Sequence, residues 1–284
     1  MRTPARHPFL LVGGILTLLM LAAALFAPLL CAYEPDEINL HERYQAPSWQ
    51  HWFGTDSVGR DVWSRVIYGT RISLGIGVST RTMGLFLGLL AGCLSGYYGG
   101  KLDLVLQRLV DVTLAFPFLL LVISIAIVFQ EGLFSVFVAL SAVMWAGLAR
   151  LMRSQVMVTR EQEYVKAAKA FGASDLRIML VHVLPNSYVP ALIWWTMGLS
   201  TAIMAEAGLS FLGLGAQPPT PSWGSMIHYE TASLRIAPWA SLFPGGALAA
   251  TVIGFNLLGE GLRDLLDPRH PIHQGVEQGT TRSV

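Results

Sequence analysis

The sequence is short of charge. Only 13% of its 284 residues are Asp, Glu, Lys or Arg, about half the share of an average soluble domain, while 53% are hydrophobic. That balance points to lipid rather than to a large aqueous core. The charges nearly cancel at a net +1, and no basic tract with interleaved aromatics occurs, so the chain has no nucleic-acid surface to offer. Cysteine is scarce too. Cys31 and Cys93 sit in or beside apolar runs, too far apart for a zinc motif and too few for a disulfide framework, and they read as small packing residues. A phosphate loop of the form GxxxxGK followed by Ser or Thr is missing, as are HExxH and any Ser-His-Asp pattern. The chain should therefore not hydrolyse ATP itself, and there are no catalytic or metal-binding residues to name.

What the sequence does have is long apolar runs. Arg2, Arg6 and His7 precede residues 9–31, enough to cross a hydrocarbon core of about 30 Å. A cleaved signal peptide would have an apolar centre of about 7–15 residues; here hydrophobicity continues past Ala24, which favours a retained first span. Further spans are expected at 72–98, 109–129, 133–148, 189–215 and 240–262, with a short turn at 99–108. Gly84, Gly88, Gly92 and Gly96 repeat every fourth residue in the second span, placing small residues on one helix face for close packing. The expected fold is all-α and polytopic with six transmembrane helices. With six spans and the N-terminus inside, thirteen Lys and Arg fall on the inner side and five on the outer. That bias makes both termini cytoplasmic and the loops after spans one and five external.

The longest polar interval in the C-terminal half runs from Thr159 to Asn186, between spans four and five. Glu161 to Phe171 holds good helix formers, with Tyr164, Val165, Ala168 and Phe171 on one face. Gly172 can close that helix in a left-handed conformation, and Ser174 is a natural N-cap for a second one. Leu176, Met179, Leu180 and Val183 then recur at helical spacing until Pro185, where the run should break. The interval reads as two short amphipathic helices about a glycine hinge.

Here the residues resemble a known family. Lys166-Ala167-Ala168, Gly172 and Leu184-Pro185 look like the cytoplasmic "EAA" loop in the membrane subunits of ATP-driven importers. Lys166 stands where that family usually has glutamate, with Glu163 three residues earlier. A second match is His51-Trp52-Phe53-Gly54-Thr55-Asp56, Gly59-Arg60-Asp61, Ser64-Arg65, Gly69 and Arg71, similar to the segment after the first span in the peptide and nickel branch. The stretches 206–226 and 255–269 add two more, in the right order.

The resemblance implies a permease subunit forming half of a pathway for di- or oligopeptides, or alternatively for nickel or a metal chelate, by alternating access. It implies a second homologous permease subunit, two ATP-binding subunits carrying ATP and Mg, and an external solute-binding protein, all in or against a lipid bilayer. No cofactor is expected on this chain. Contact with the ATPase falls to Glu163, Tyr164, Lys166, Ala167, Ala168, Gly172, Ala173, Leu184 and Pro185. The chain then divides into a cytoplasmic N-terminus (1–8), a first span (9–31), an external loop (32–71), a permease core (72–269) containing the loop 159–186, and a disordered cytoplasmic tail (270–284).

In the external loop, Asp56, Arg60, Asp61, Arg65 and Arg71 can make an ion-pair and capping network that orders the segment, with Gly54, Thr55 and Gly59 as its turns. A catalytic reading of Asp56 with Asp61 needs a paired acid and base in a pocket. Arg81 and Glu206 are the charges expected inside spans, and such groups face a cavity, a partner or a neighbouring helix. Both are pathway candidates, unless the second span begins only near Thr82 or Glu206 serves to tie helices together. Asp111 and Glu260 have Arg108 and Arg263 as near neighbours for pairing. The rivals are a polytopic membrane enzyme using Asp56, Asp61 or Glu206 as acids, and a channel, which has no use for a docking loop.

Overall fold

The computed structural model describes residues 8–266, and among them every regular element is helical. The N-terminal basic residues and the expected tail lie outside that range. Helix α1, Pro8–Leu25, is followed by one short turn, α2, Ala27–Leu30. α3 spans Val62–Tyr98, α4 Gly100–Ala115, α5 Phe118–Val128 and α6 Leu133–Arg160. α7 covers Glu163–Ala170 and α8 Asp175–Arg177; a wide π-type stretch, Ile178–Val183, leads into α9, Leu184–Phe211. α10, Trp223–Glu230, and α11, Trp239–Leu266, complete the order. Among the described residues five helices are long and apolar enough to cross a membrane, or six spans if α4 and α5 count as one broken span.

Four expectations need correction. The external loop does not reach residue 71, because Asp61 N-caps α3 by accepting from the Ser64 amide at 2.7 Å and the helix starts ten residues before the apolar run. The turn expected at 99–108 is helical, and the third span is not straight. α4 and α5 meet at 98° across Pro117, whose ring removes a donor and forces Phe116 into an extended conformation. Pro185 does not stop its helix either, for Asp175–Phe211 is continuous. The Leu184 amide reaches back five residues to Met179, and this widened turn makes room for a ring that would strike a regular helix. Finally, the polar segment 217–239 contains α10, started by a reciprocal Ser222–Ser225 capping box and anchored by the fully buried Trp223.

α3 is the strut of the molecule. Its glycine row meets α6 directly. A Cβ on Gly88 would lie 2.7 Å from that of Leu148, one on Gly92 2.6 Å from that of Met152, and one on Gly96 2.7 Å from the Arg153 carbonyl oxygen. Contact that close is possible only without side chains, and it buries Leu148, Met152 and Val156 completely. Around this seam, Val122, Val136, Leu140, Ala202 and Leu209 fill one core cluster, while Leu74, Leu199, Ile203, Trp223 and Phe255 fill another.

Gly92→Val should therefore overpack the seam and lower stability by about 1–3 kcal/mol. Gly75→Ala, on a face with nothing within 4 Å, should be neutral or slightly stabilising. Thermal unfolding of the detergent-solubilised protein compares the two, and equal effects would remove the seam from this account.

Candidate functional site

The interval between α6 and α9 folds into an elbow. Glu163 begins α7, and Gly172 closes it at φ +82, with the Ala173 amide returning to the Ala168 carbonyl at 3.1 Å. Ser174 caps the next turn, accepting from the Arg177 amide at 3.4 Å. One face of the elbow is fixed. Val165 is buried and Ala168 and Ala173 half-buried in a cluster with Ile178, Val183 and Met152. The apolar face expected for α7 is in fact divided, because Tyr164 and Phe171 point outward and Phe171 is 91% exposed. Glu163, Lys166, Ala167, Gly172, Leu176 and Pro185 are exposed as well, and Leu184 is half-buried.

Three residues not singled out from the sequence hold the elbow to the end of α3. The Tyr97 hydroxyl donates to Asp175 at 2.7 Å, and Arg160 donates to the carbonyl oxygens of Tyr97 at 2.8 Å and Gly96 at 3.3 Å. The pairs Lys166–Glu161 and Lys166–Glu163, at 3.6 and 3.9 Å, are exposed and contribute little.

At the other end of α3 a compact cap is built. Asp56 accepts from the amides of Val58 and Arg60 at 3.0 and 2.9 Å and from the Arg60 guanidinium at 2.7 Å, with Arg65 at 3.6 Å. Asp61 caps α3 with one oxygen and meets His51 Nδ1 at 2.9 Å with the other. Thr55 and Asp61 form an isolated β-bridge. Gly54 and Gly59 sit at positive φ under neighbours that a side chain would strike. Residues from the segment before and at the start of α11 close the cap, with Trp239 donating to the Thr55 carbonyl and Glu230 accepting from the Ser57 amide and hydroxyl. Arg71 takes no part. Both aspartates are thus consumed by capping and ion pairing.

The two intramembrane charges are buried within the chain itself. Arg81 lies in the middle of α3, not at a span end; it donates to the carbonyl oxygens of Trp194 and Trp195 and covers the Trp194 ring. Glu206 is 0% exposed, with one oxygen accepting from Ser210 at 2.7 Å and the other without a hydrogen-bond partner. Asp111 pairs with Arg150 at 2.7 Å instead of Arg108, while Asp103 and Arg153 form a bidentate pair at 2.6 and 2.7 Å. Among the described residues no ion pair joins Glu260 to Arg263. A separate recess of about 670 Å³ opens between α5, α9, α10 and α11, and Ser200, Thr201 and Asn256 give it a polar stripe.

Residues 84–270 match the family of binding-protein-dependent transport system inner membrane components, and residues 4–47 match the N-terminal transmembrane domain of oligopeptide transport permease C. The chain is 42% identical to the dipeptide transport system permease protein of Alkalihalophilus pseudofirmus, over 93% of this chain and 87% of the relative. It is 40% identical to the oligopeptide transport system permease protein of Bacillus subtilis, over 91% and 85%. A glutathione transport system permease protein of Escherichia coli is 41% identical over 93% and 88%. Among solved structures, an inward-facing methionine ABC transporter superposes with a TM-score of 0.58 at 18% identity, covering 72% of this chain and 97% of that one, a likeness of fold.

The buried Asp56 network and the exposed Asp111–Arg150 pair make a decisive contrast. Asp56→Ala should cost about 3–5 kcal/mol and speed protease cleavage between residues 32 and 61, because it strands the buried Arg65 and half-buried Arg60 guanidinium groups. Asp111→Ala should cost under about 1 kcal/mol and leave cleavage of the cap unchanged.

Proposed function

The chain belongs to the family of binding-protein-dependent transport system inner membrane components, and from that premise we propose that it forms half of the translocation pathway of a di- or oligopeptide importer. It is a multi-pass inner-membrane transport subunit and not an enzyme. The peptide reading is supported by relatives named for dipeptides, oligopeptides and glutathione. In this reading a second, similar permease subunit completes the pathway. Two ATPase subunits bind ATP and Mg on the inner side, and a solute-binding protein delivers substrate outside.

The observation that carries the proposal is the elbow. Its outer surface exposes Phe171, Leu176 and Tyr164 among the charges of Glu163, Lys166 and Lys169, a pattern suited to docking in a groove of a partner that sets register by charge. Behind it, α8 and α9 form one rod of 37 residues, about 55 Å long. A push on Phe171 or Gly172 therefore moves the whole of Asp175–Phe211, including the stripe at Ser200 and Thr201. ATP-driven closure of the ATPase pair supplies the differential affinity that such a move requires.

The Lys and Arg bias supports an elbow and both termini on the cytoplasmic side, with the cap outside. Trp49, Trp52 and Trp63 on the cap, beside the exposed Leu29, suit the outer membrane–water interface. We place the pathway along the recess that holds Ser200, Thr201 and Asn256 rather than at Arg81 and Glu206. Arg81 ties α3 to α9 behind it, and Glu206 is buried against Ser210 of its own helix.

Phe171→Asp should insert and fold normally, since the side chain is 91% exposed, yet recover at least about tenfold less ATPase subunit on co-purification. Gly172→Val should abolish transport and ATPase coupling with insertion intact. Full coupling in both variants would end the docking assignment. Glu206→Gln should leave transport of a dipeptide unchanged, and a lost or altered substrate preference would return Glu206 to the pathway.

A further inference from the structure

Along the outer face of α3 runs a groove of about 1040 Å³, walled by Leu21 and Leu25 of α1, Val78 and Phe86 of α3, and Phe137 of α6, with Gly75 on its floor. It is apolar throughout, apart from two hydroxyls that the chain already satisfies. Ser79 donates to the Ile76 carbonyl at 3.1 Å, and Thr82 accepts from the Trp195 indole at 3.3 Å. One charge stands in it. Arg71 lies at the end nearer the cap, exposed and without an ion pair to any described residue; its nearest aromatic neighbour is Tyr68, at 6.0 Å from the ring centroid.

We propose that this groove is a binding site for one glycerophospholipid of the leaflet on the cap side, with the phosphodiester on Arg71 and an acyl chain along Gly75, Val78 and Phe86. Three observations support that occupant. A guanidinium offers two parallel donors that match a phosphate, and here they are not taken up by a carboxylate. From Arg71 to Phe86 the helix rises about 22 Å, so a groove that starts at the headgroup level runs through the adjoining leaflet, about 15 Å deep, and past its inner limit. A helix from the second permease subunit would leave Arg71 facing apolar surface unless it brought its own anion, which a phospholipid supplies.

The site is open to a clean test because a Cβ on Gly75 meets nothing within 4 Å. Gly75→Trp would place a bulky side chain in the groove from a position whose Cβ meets nothing, and Arg71→Gln would remove the phosphate contact alone. The assembled transporter, extracted in mild detergent from its native membrane, is examined by native mass spectrometry for retained phospholipid. Wild type should keep one lipid per copy of this subunit. Both variants should lower retention by at least about tenfold, the scale of one charge-assisted contact. Gly14→Trp, on an open position of α1 outside the groove, should keep it. Equal retention in all four proteins would mark annular lipid only and overturn the proposal. So would efficient cross-linking of a cysteine at Val78 to the second permease subunit, which would make the groove a protein interface.

Discussion

Everything in this molecule hangs on how closely α3 and α6 approach. Lipid offers no hydrophobic drive between two apolar helices, so they are held by contact at short range, and contact at short range needs backbones without Cβ atoms between them. Gly88, Gly92 and Gly96 provide that against Leu148, Met152 and Val156. The seam covers about 12 Å of α3, from Gly88 to Gly96, and the helix carries a further attachment at each of its ends. One end is Asp61, which caps the helix and anchors the cap; the other is Tyr97, which holds Asp175 in the elbow. The cap and the elbow lie at opposite ends of α3, and one strut determines where each of them sits.

The buried charges follow a second rule, that a group unable to reach water must be satisfied by what lies beside it. Arg81 takes the carbonyl oxygens of Trp194 and Trp195, tying the middle of α3 to α9. Gly198, one turn further along α9, leaves the space the guanidinium needs. Asp103 and Arg153 pair between α4 and α6 with the Ser95 hydroxyl added. These contacts are joints between helices, whereas the recess between α5, α9, α10 and α11 is lined by uncharged groups, Ser200, Thr201 and Asn256 among them.

Much of this was legible in the order of residues. The apolar runs, the four-residue glycine repeat, Gly172 as a helix stop and Ser174 as a cap all express local rules that hold wherever the chain goes. The misses share a different origin. Apolarity marks what can sit in lipid but not whether it runs straight, so Phe116–Pro117 concealed a bend. Val62–Arg71 carries arginines and reads as a loop, although a helix needs only a cap and a neighbour to pack on. Trp223 looked like part of a polar connection because its burial is created by Gly69 and Ser73 of α3, some 150 residues away. Tyr97 and Asp175 meet across 78 residues with no pattern in sequence to announce them.

The treatment of Pro185 shows why the elbow is more than a surface loop. If proline had ended the helix there, motion at Phe171 would be absorbed by a flexible joint before it reached the bilayer. Instead the turn widens by one residue, the Leu184 amide bonds to Met179, and the Asn186 side chain donates to the His182 carbonyl at 2.6 Å. The rod stays continuous while its axis shifts at one place. A continuous rod carries load along its length, where a broken helix would lose it at the joint. The elbow's other attachment, Tyr97 to Asp175, ends on α3, so the elbow is tied at once to the strut and to the helix that Arg81 joins to that strut.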